Sequence, residues 1–477
     1  MRASLTFLLP LLALLGACAS PDGLGPRGRI SEGAQLAQAN PLSLPTKAQA
    51  APADARWWQQ YGDAQLDQLI DQALAASPSL ELAQARLDQA RAAAGLAASA
   101  DGLHANANID STQQRLSEHY IYPTGLAGTY TSINRAALDF SYTLDLWGRN
   151  RAALAAALGQ EAAARADLAQ ARLILASAIT RSYIQLDRVL QQRQVAAARL
   201  VQQQALKDLI RQRQAAGLET RAEVQQSRAQ TDNAQAELIA LDAQATLLHH
   251  QLAALAGQGP DQALALHAPQ LRDPGTPPAT LPADLLGQRP DLRALRWRVE
   301  AGQDAAEAAR AEFYPNVDLT GFVGLQSLGL NQLAKGGSRI LGVGPAIHLP
   351  IFDQGRLRAQ LAERFAEQDA AIAQYNGALV NALREVADPL AQWRAASAET
   401  QVREAALAGQ QAAWNLARQR QQAGLSSQLP VLNAQSPILL QQGQLADLRA
   451  RRLDASATLH TALGGGYSPA TAEPISH

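Results

Sequence analysis

Two features of this sequence bear on chemistry, a single sulfur and a repeated phrase. Cys18 is the only cysteine, so disulfides within the chain are impossible. Upstream stand basic Arg2 and an apolar run from Leu5 to Leu15, too short to span a bilayer as a permanent helix, followed by Leu15-Gly16-Ala17. A lone thiol in that setting sits where a bacterial lipoprotein signal places the cysteine that is lipidated and becomes the mature first residue. The second feature is RQRQAAGL at Arg211 to Leu218, which returns as RQRQQAGL at Arg418 to Leu425, an offset of 207 (424 − 217). It places Arg213 and Arg420, Gly217 and Gly424, and Leu218 and Leu425 in equivalent positions. Catalysis finds no such support. His249-His250 have no metal-ligand partner at useful spacing, and no Ser/His/Asp nucleophile motif is present, so no enzyme, metal or cofactor is expected.

The repeated phrase belongs to a longer self-similarity. Val224 answers Val431, Gly257 answers Gly464, and LWGRNRA at 146–152 answers DQGRLRA at 353–359. Nearer the start of each half the offset becomes 212, where Pro78 answers Pro290. The chain is therefore a tandem duplication. Each half reads helix, strand, loop, strand, long helix, tight turn, long helix. From Arg149 to Ala216 there is no proline and only one glycine, and a helix of that length extends about 100 Å. Gly217 and Gly424 stand where such a helix stops with a left-handed residue. Thr220 and Glu223 follow at capping-box spacing, so the phrase marks the tip of an antiparallel hairpin.

Between the helices the period changes to two. Leu138, Phe140, Tyr142, Leu144 and Leu146 alternate with Asp139, Ser141, Thr143 and Asp145, giving a strand with one greasy and one wet face. Asn106 and Asn108 alternate with Ala105, Ala107 and Ile109, and Val317, Leu319 and Val323 alternate with Asp318 and Thr320. Leu341, Val343 and Ile347 are set against Gly342, Gly344 and His348. Four such strands on an exported chain point to a membrane barrel with a polar lumen, but a closed barrel needs about eight, so several chains must contribute. Loops at 116–132 and 327–338 would face outward, with Tyr120, Tyr122 and Tyr130 at the membrane rim or packed on the loop surface.

The formal net charge of −1 and the absence of like-charge blocks exclude a general attraction to nucleic acid. Aromatics at 4% are too few for a thick globular core and suit long helices packed through small residues. The expected organisation is a signal peptide at 1–17, a lipidated tether at 18–56 and a first repeat at 57–260. Its strands fall at about 104–115 and 133–147, and its hairpin at 149–256 turns at 217. A linker at 261–280 leads to a second repeat at 281–466, with strands at about 315–326 and 339–352 and a hairpin at 355–463 turning at 424. Residues 467–477 form a tail.

At this resolution the sequence resembles the TolC-type outer-membrane channel proteins, in their lipidated NodT-like branch. The matching pieces are LGAC at 15–18, WWQQYGDAQLDQLIDQAL at 57–74, FSYTLDLWGR ending at Arg149, LPIFDQGR at 349–356, and the two tip phrases. Ala19 after Cys18 is similar to lipoproteins sent to the outer membrane. The resemblance implies a mainly α chain with a small β part. Three copies would form a homotrimeric 12-stranded barrel, continued by a periplasmic helical tunnel and girdled by an equatorial belt. It implies an exit duct for small molecules such as drugs, fed by an inner-membrane pump through a periplasmic adaptor, with outer-membrane lipid around the barrel. By that analogy Arg213, Gly217, Leu218, Arg420, Gly424 and Leu425 face the adaptor, and Asn106, Asn108, Asp139, Ser141 and Asp145 line the lumen. Trp147, Gly148, Arg149, Gly355 and Arg356 join strand to helix. Relatives carry a constricting acidic ring beyond the second tip; here Pro430 and Asn433 occupy those places, and Glu223 is the nearest acid.

Pro389, Pro430 and Pro437 replace Ser182, Glu223 and Gln230 of the first half, and proline bends or breaks a helix outside its first turn. The second hairpin is therefore expected to be the mobile one. A duct for polypeptides, or a lipid-anchored structural coiled coil, are the competing readings; the second leaves the four alternating strands unexplained.

Overall fold

The computed structural model describes residues 20–31, 56–260, 266–276 and 288–467. Cys18 and the signal peptide lie outside the described residues, as do parts of the tether, linker and tail.

After a 3-10 turn at Trp57–Tyr61, the chain forms α1 (Ala64–Ala76), α2 (Pro78–Ser99), β1 (His104–Arg115), β2 (Tyr130–Leu144), α3 (Arg149–Ala215) and α4 (Arg221–Leu255). The order then returns as α5 (Pro290–Ala311), β3 (Asn316–Leu328), β4 (Arg339–His348), α6 (Gln354–Gln422) and α7 (Leu429–Ala462). The described residues fall into two compact units, one of 20–30, 86–164 and 295–375, the other made of those described within 31–85, 165–294 and 376–477.

The first unit holds an antiparallel sheet in the order β1-β2-β3-β4, in which the β2–β3 pairing joins the two repeats. Helix α3 approaches α5 so closely that a Cβ on Gly159 would lie 2.9 Å from the Ala301 Cβ, which is how a chain poor in aromatics closes its gaps. The described start of the tether has no core of its own and docks on α6. Arg27 and Gly28 donate their backbone N–H to Asp369 at 2.9 and 2.7 Å, and Arg358 donates to the Ser20 carbonyl at 2.7 Å. Leu24 packs against a small cluster of Phe313, Leu357, Leu361 and Phe365.

The second unit contains the larger core. Trp57, Trp58, Tyr61, Leu66 and Ile70 pack with Tyr183, Ile184 and Leu186 of α3, Leu252 of α4 and Leu453 of α7. Asp63 caps α1 by accepting from Gln65 N at 2.9 Å. Its other oxygen accepts from Tyr183 Oη at 2.9 Å and Gln270 N at 2.8 Å. Burial, followed by the nearby Asp63 carboxylate, pushes the Tyr183 phenol up, so it stays a donor. Within this unit α3 and α4 run antiparallel, held by Arg193 with Asp242, Arg199 with Glu237, and the Thr231 hydroxyl on Gln203 O.

The prolines of the second hairpin do not break its helices. Helix α6 runs unbroken for 69 residues with Pro389 inside it, Pro437 lies inside α7, and Pro430 sits in the first turn, where proline costs no hydrogen bond. One missing N–H in a helix this long removes one bond, and packing on both sides keeps the register.

Candidate functional site

Directly opposed residues in an antiparallel pair share a face of the sheet. Asn106 opposes Asp139, His104 opposes Ser141, and Asp139 opposes Phe322. Asn106, Asn108, Asp139 and Ser141 therefore stand together on one polar face. Asn108 Nδ2 donates to Asp139 Oδ2 at 2.7 Å, and Arg135 Nη1 donates to the same oxygen at 3.0 Å. One strand over, the Thr143 hydroxyl donates to Asp318 at 2.7 Å.

The opposite face is apolar yet open. Ile109, Leu138, Tyr142, Leu319 and Val323 are exposed on it, and Leu341 and Val343 reach 81% and 79% exposure. Water does not tolerate a contiguous apolar sheet face of this kind; lipid does. Asn134 is the buried exception on this face and is satisfied locally, accepting from the Ser111 hydroxyl at 2.7 Å and donating to Ser132 Oγ at 3.0 Å. Phe322 reverses the rule on the polar face, where its ring lies over Gly342 and the Arg135 guanidinium stands 6.0 Å from its centroid.

Asp145 does not join the polar face of the sheet. β2 ends at Leu144, and the Asp145 carboxylate accepts from the backbone N–H of Asn150 at 3.2 Å and Arg151 at 3.0 Å, capping α3. Trp147 stacks on Tyr314 with centroids 4.7 Å apart and donates its indole N–H to Pro315 O at 2.9 Å. Gly148 takes φ +75°, while its repeat counterpart Gly355 lies inside the first turn of α6. Arg149 Nε donates to Asn150 Oδ1 at 3.3 Å; Arg356 pairs with Asp353 at 2.9 Å. Equivalent sequence thus makes two different corners.

The tips, by contrast, are the same twice. Gly217 and Gly424 adopt φ +74° and +72°. Leu218 N donates to Arg213 O at 2.8 Å and Leu425 N to Arg420 O at 2.9 Å; each glycine N donates three residues back at 3.0 Å. These are Schellman turns, in which the residue after the glycine ordinarily packs on the residue whose carbonyl it binds. Here that residue is arginine, and the leucines stay out: Leu218 is 64% and Leu425 73% exposed.

Beyond the first tip, Thr220 and Glu223 form the reciprocal capping box, and Arg213 pairs with Glu219 at 2.8 Å. The hydrogen bond from the Thr220 backbone N–H, above all, holds the Glu223 carboxyl below the usual range. Beyond the second tip, Gln428 supplies no side-chain cap, Pro430 is the second residue of α7, and Asn433 is exposed in the same helix. Among the described residues no group of His, Cys, Asp and Glu could hold a metal, and no helix is long and apolar enough to cross a membrane.

Sequence reasoning missed Phe322, Asp369 and the buried Arg289, which bridges Asp291 and Glu385. Phe322 was readable by counting two by two from Asp318; Arg289 and Asp369 had no local signal.

The family described as "Outer membrane efflux protein" matches residues 69–258 and 281–465. The chain is similar to the multidrug resistance outer membrane protein MdtP of Escherichia coli K12, 33% identical over 434 residues covering 87% of this chain and 86% of the relative. It is also similar to the fusaric acid resistance protein FusA of Burkholderia cepacia, 36% identical over 371 residues covering 75% and 68%. Among solved structures it resembles the outer membrane protein VceC of Vibrio cholerae, with TM-score 0.80 and 38% identity over 87% of this chain and 100% of that one. Both halves answer to one description, and the whole of VceC finds its counterpart here. The chain belongs to the outer membrane efflux protein family, mainly helical TolC-type channels of the outer membrane, and is an efflux channel rather than an enzyme.

Proposed function

We propose that three copies close edge to edge into one duct, through which small toxic molecules received from an inner-membrane pump and a periplasmic adaptor leave the cell. One observation carries this: the strand register sorts polar residues to one face and exposed apolar residues to the other, and among the described residues leaves the outer edges of β1 and β4 unpaired. Four strands with two open edges are incomplete. Members of this family are trimeric channels of tripartite efflux systems, and three copies supply twelve strands. In that assembly Asn106, Asn108, Asp139 and Ser141 face the water-filled lumen, and Arg135 and Phe322 share it.

The paired tips are the adaptor's contact. Arg213, Gly217, Leu218, Arg420, Gly424 and Leu425 present the same turn twice, each with an uncovered leucine, as a repeated partner surface requires. Glu223, Pro430 and Asn433 lie just beyond, at the periplasmic mouth, where one acid per chain replaces a stronger ring. Cys18 is the lipid attachment point, and the docking of residues 20–31 on α6 gives an anchored N-terminus a fixed path. Resistance to drugs and to fusaric acid, named in two relatives, supports small molecules as cargo.

Purified protein in planar bilayers tests the reading: stepwise ion conductance at a trimer mass is expected. A non-conducting rod, or a monomer soluble without detergent, would overturn it.

A further inference from the structure

Where the sheet gives way to the helices, the first unit contains a cleft of about 590 Å³. Its walls differ in kind. On one side are Leu144 and Ile347, the last residues of the apolar face, which opposing Val317 places in one row. Ile347 is 67% exposed and continues a greasy line along β4 through Val343 and Leu341. On another side the stacked Trp147 and Tyr314 close the cleft with amphipathic rings of the kind that settle at headgroup level.

The cleft also holds one charge of each sign left over. Asp145 is spent on capping α3, and Arg356 and Asp353 satisfy each other. Arg149 is bonded only to the neighbouring Asn150 amide, and the Glu312 carboxylate makes no hydrogen bond or ion pair among the described residues. A ligand that fits must therefore bring a phosphate-like anion for the planar guanidinium, an N–H-bearing cation for the carboxylate, and apolar tails for the β4 line.

We propose that this cleft binds the headgroup of an aminophospholipid of the phosphatidylethanolamine type, its acyl chains lying on β4. A choline headgroup lacks the N–H that Glu312 needs, and a glycerol headgroup lacks the cation. The proposal rests on the apolar face meeting lipid, which the bilayer experiment above checks independently.

Native mass spectrometry of the full-length protein in detergent, with phosphatidylethanolamine, phosphatidylcholine or phosphatidylglycerol added, is the test. Preferential retention of phosphatidylethanolamine is expected. Arg149→Ala should weaken retention about tenfold, the worth of one charge-assisted contact, while Arg149→Lys keeps most of it. Glu312→Gln should erase the preference over phosphatidylcholine. The same spectrum reads the oligomer, so a failed assembly is seen separately from a lost lipid. Equal retention of the three lipids, or retention unchanged in both Arg149→Ala and Glu312→Gln, would overturn the assignment.

Discussion

Arg289 Nη2 lies 2.7 Å from Glu385 Oε2, and Glu385 stands four residues before Pro389, so its carbonyl is the one that proline leaves without a helical donor. The buried guanidinium also pairs with Asp291 and donates to the Ala462 carbonyl at 3.1 Å. A weak point in α6 is thus held from α5 and α7 at once. This sharpens the hypothesis that the second hairpin is the one that moves. Disulfides tying α6 and α7 to a neighbouring hairpin should block export measured as drug resistance in cells. If only ties on α3 and α4 do so, the hypothesis fails.

Replacing Arg289 by methionine should loosen the same region. The substitution keeps much of the buried stem and removes four charge-assisted bonds to three partners, of which Glu385, already 44% exposed, is partly rescued by water. A loss of about 2 kcal/mol is expected, read as an earlier thermal transition of the detergent-solubilised protein. Faster hydrogen exchange should appear around Pro389 and not around Ser182. Uniform exchange in both hairpins would show that the clamp is not local.

The tips should separate docking from conduction. Leu218→Ser and Leu425→Ser together remove two largely exposed side chains. Single-channel conductance should remain as in the parent, whereas resistance in cells falls to the level of a strain lacking the channel. Retained resistance would mean that the leucines are incidental to the turn.

Acid should affect the first tip before the second. The Glu223 carboxyl is held below its unfolded value, so its contribution to the cap is complete above about pH 4.3 and is lost as pH falls through the lower folded value. Amide exchange at the start of α4 should be flat from pH 8 to about pH 5, once intrinsic rates are divided out, and accelerate below about pH 4. The start of α7, which has no side-chain cap, should show no such onset. Thr220→Ala should produce fast exchange at every pH, since losing a cap costs about 1 kcal/mol at that helix end.

What could be read beforehand was local or periodic. Gly217 and Gly424 announce a left-handed stop, Thr220 and Glu223 a reciprocal cap, and alternation from Leu138 to Leu144 a two-faced strand, because each needs only near neighbours. The same alternation misplaced Asp145 and Leu146: it runs on past Leu144, and only the cap that Asp145 makes on α3 shows that the strand has ended. Whether a helix runs on past Pro389 could not be read from its neighbours, since the packing that carries a 69-residue helix past one missing bond is not local. The contacts between Asp369 and Arg27, or Arg289 and Glu385, join residues far apart in the chain and leave no trace in the sequence pattern.

Three glycines of the sheet give a graded test of register. A Cβ on Gly324 would fall 2.3 Å from Ala136 O and 2.5 Å from Ala137 Cα, both backbone atoms that cannot retreat without breaking the β2–β3 pairing. A Cβ on Gly342 would meet the Phe322 ring at 2.7 Å, a side chain that can rotate away at the loss of its cover over β4. Gly344 has nothing within 4 Å. Alanine should therefore be nearly neutral at Gly344. At Gly342 it should cost about 1–3 kcal/mol, as overpacking does, and at Gly324 it should prevent assembly. The readout is the temperature at which the oligomer dissociates in detergent. Because β2–β3 is the pairing that joins the two repeats, a Gly324→Ala protein that assembles as well as Gly344→Ala would mean that the repeats meet in another register, and the division into polar and apolar faces would fall with it.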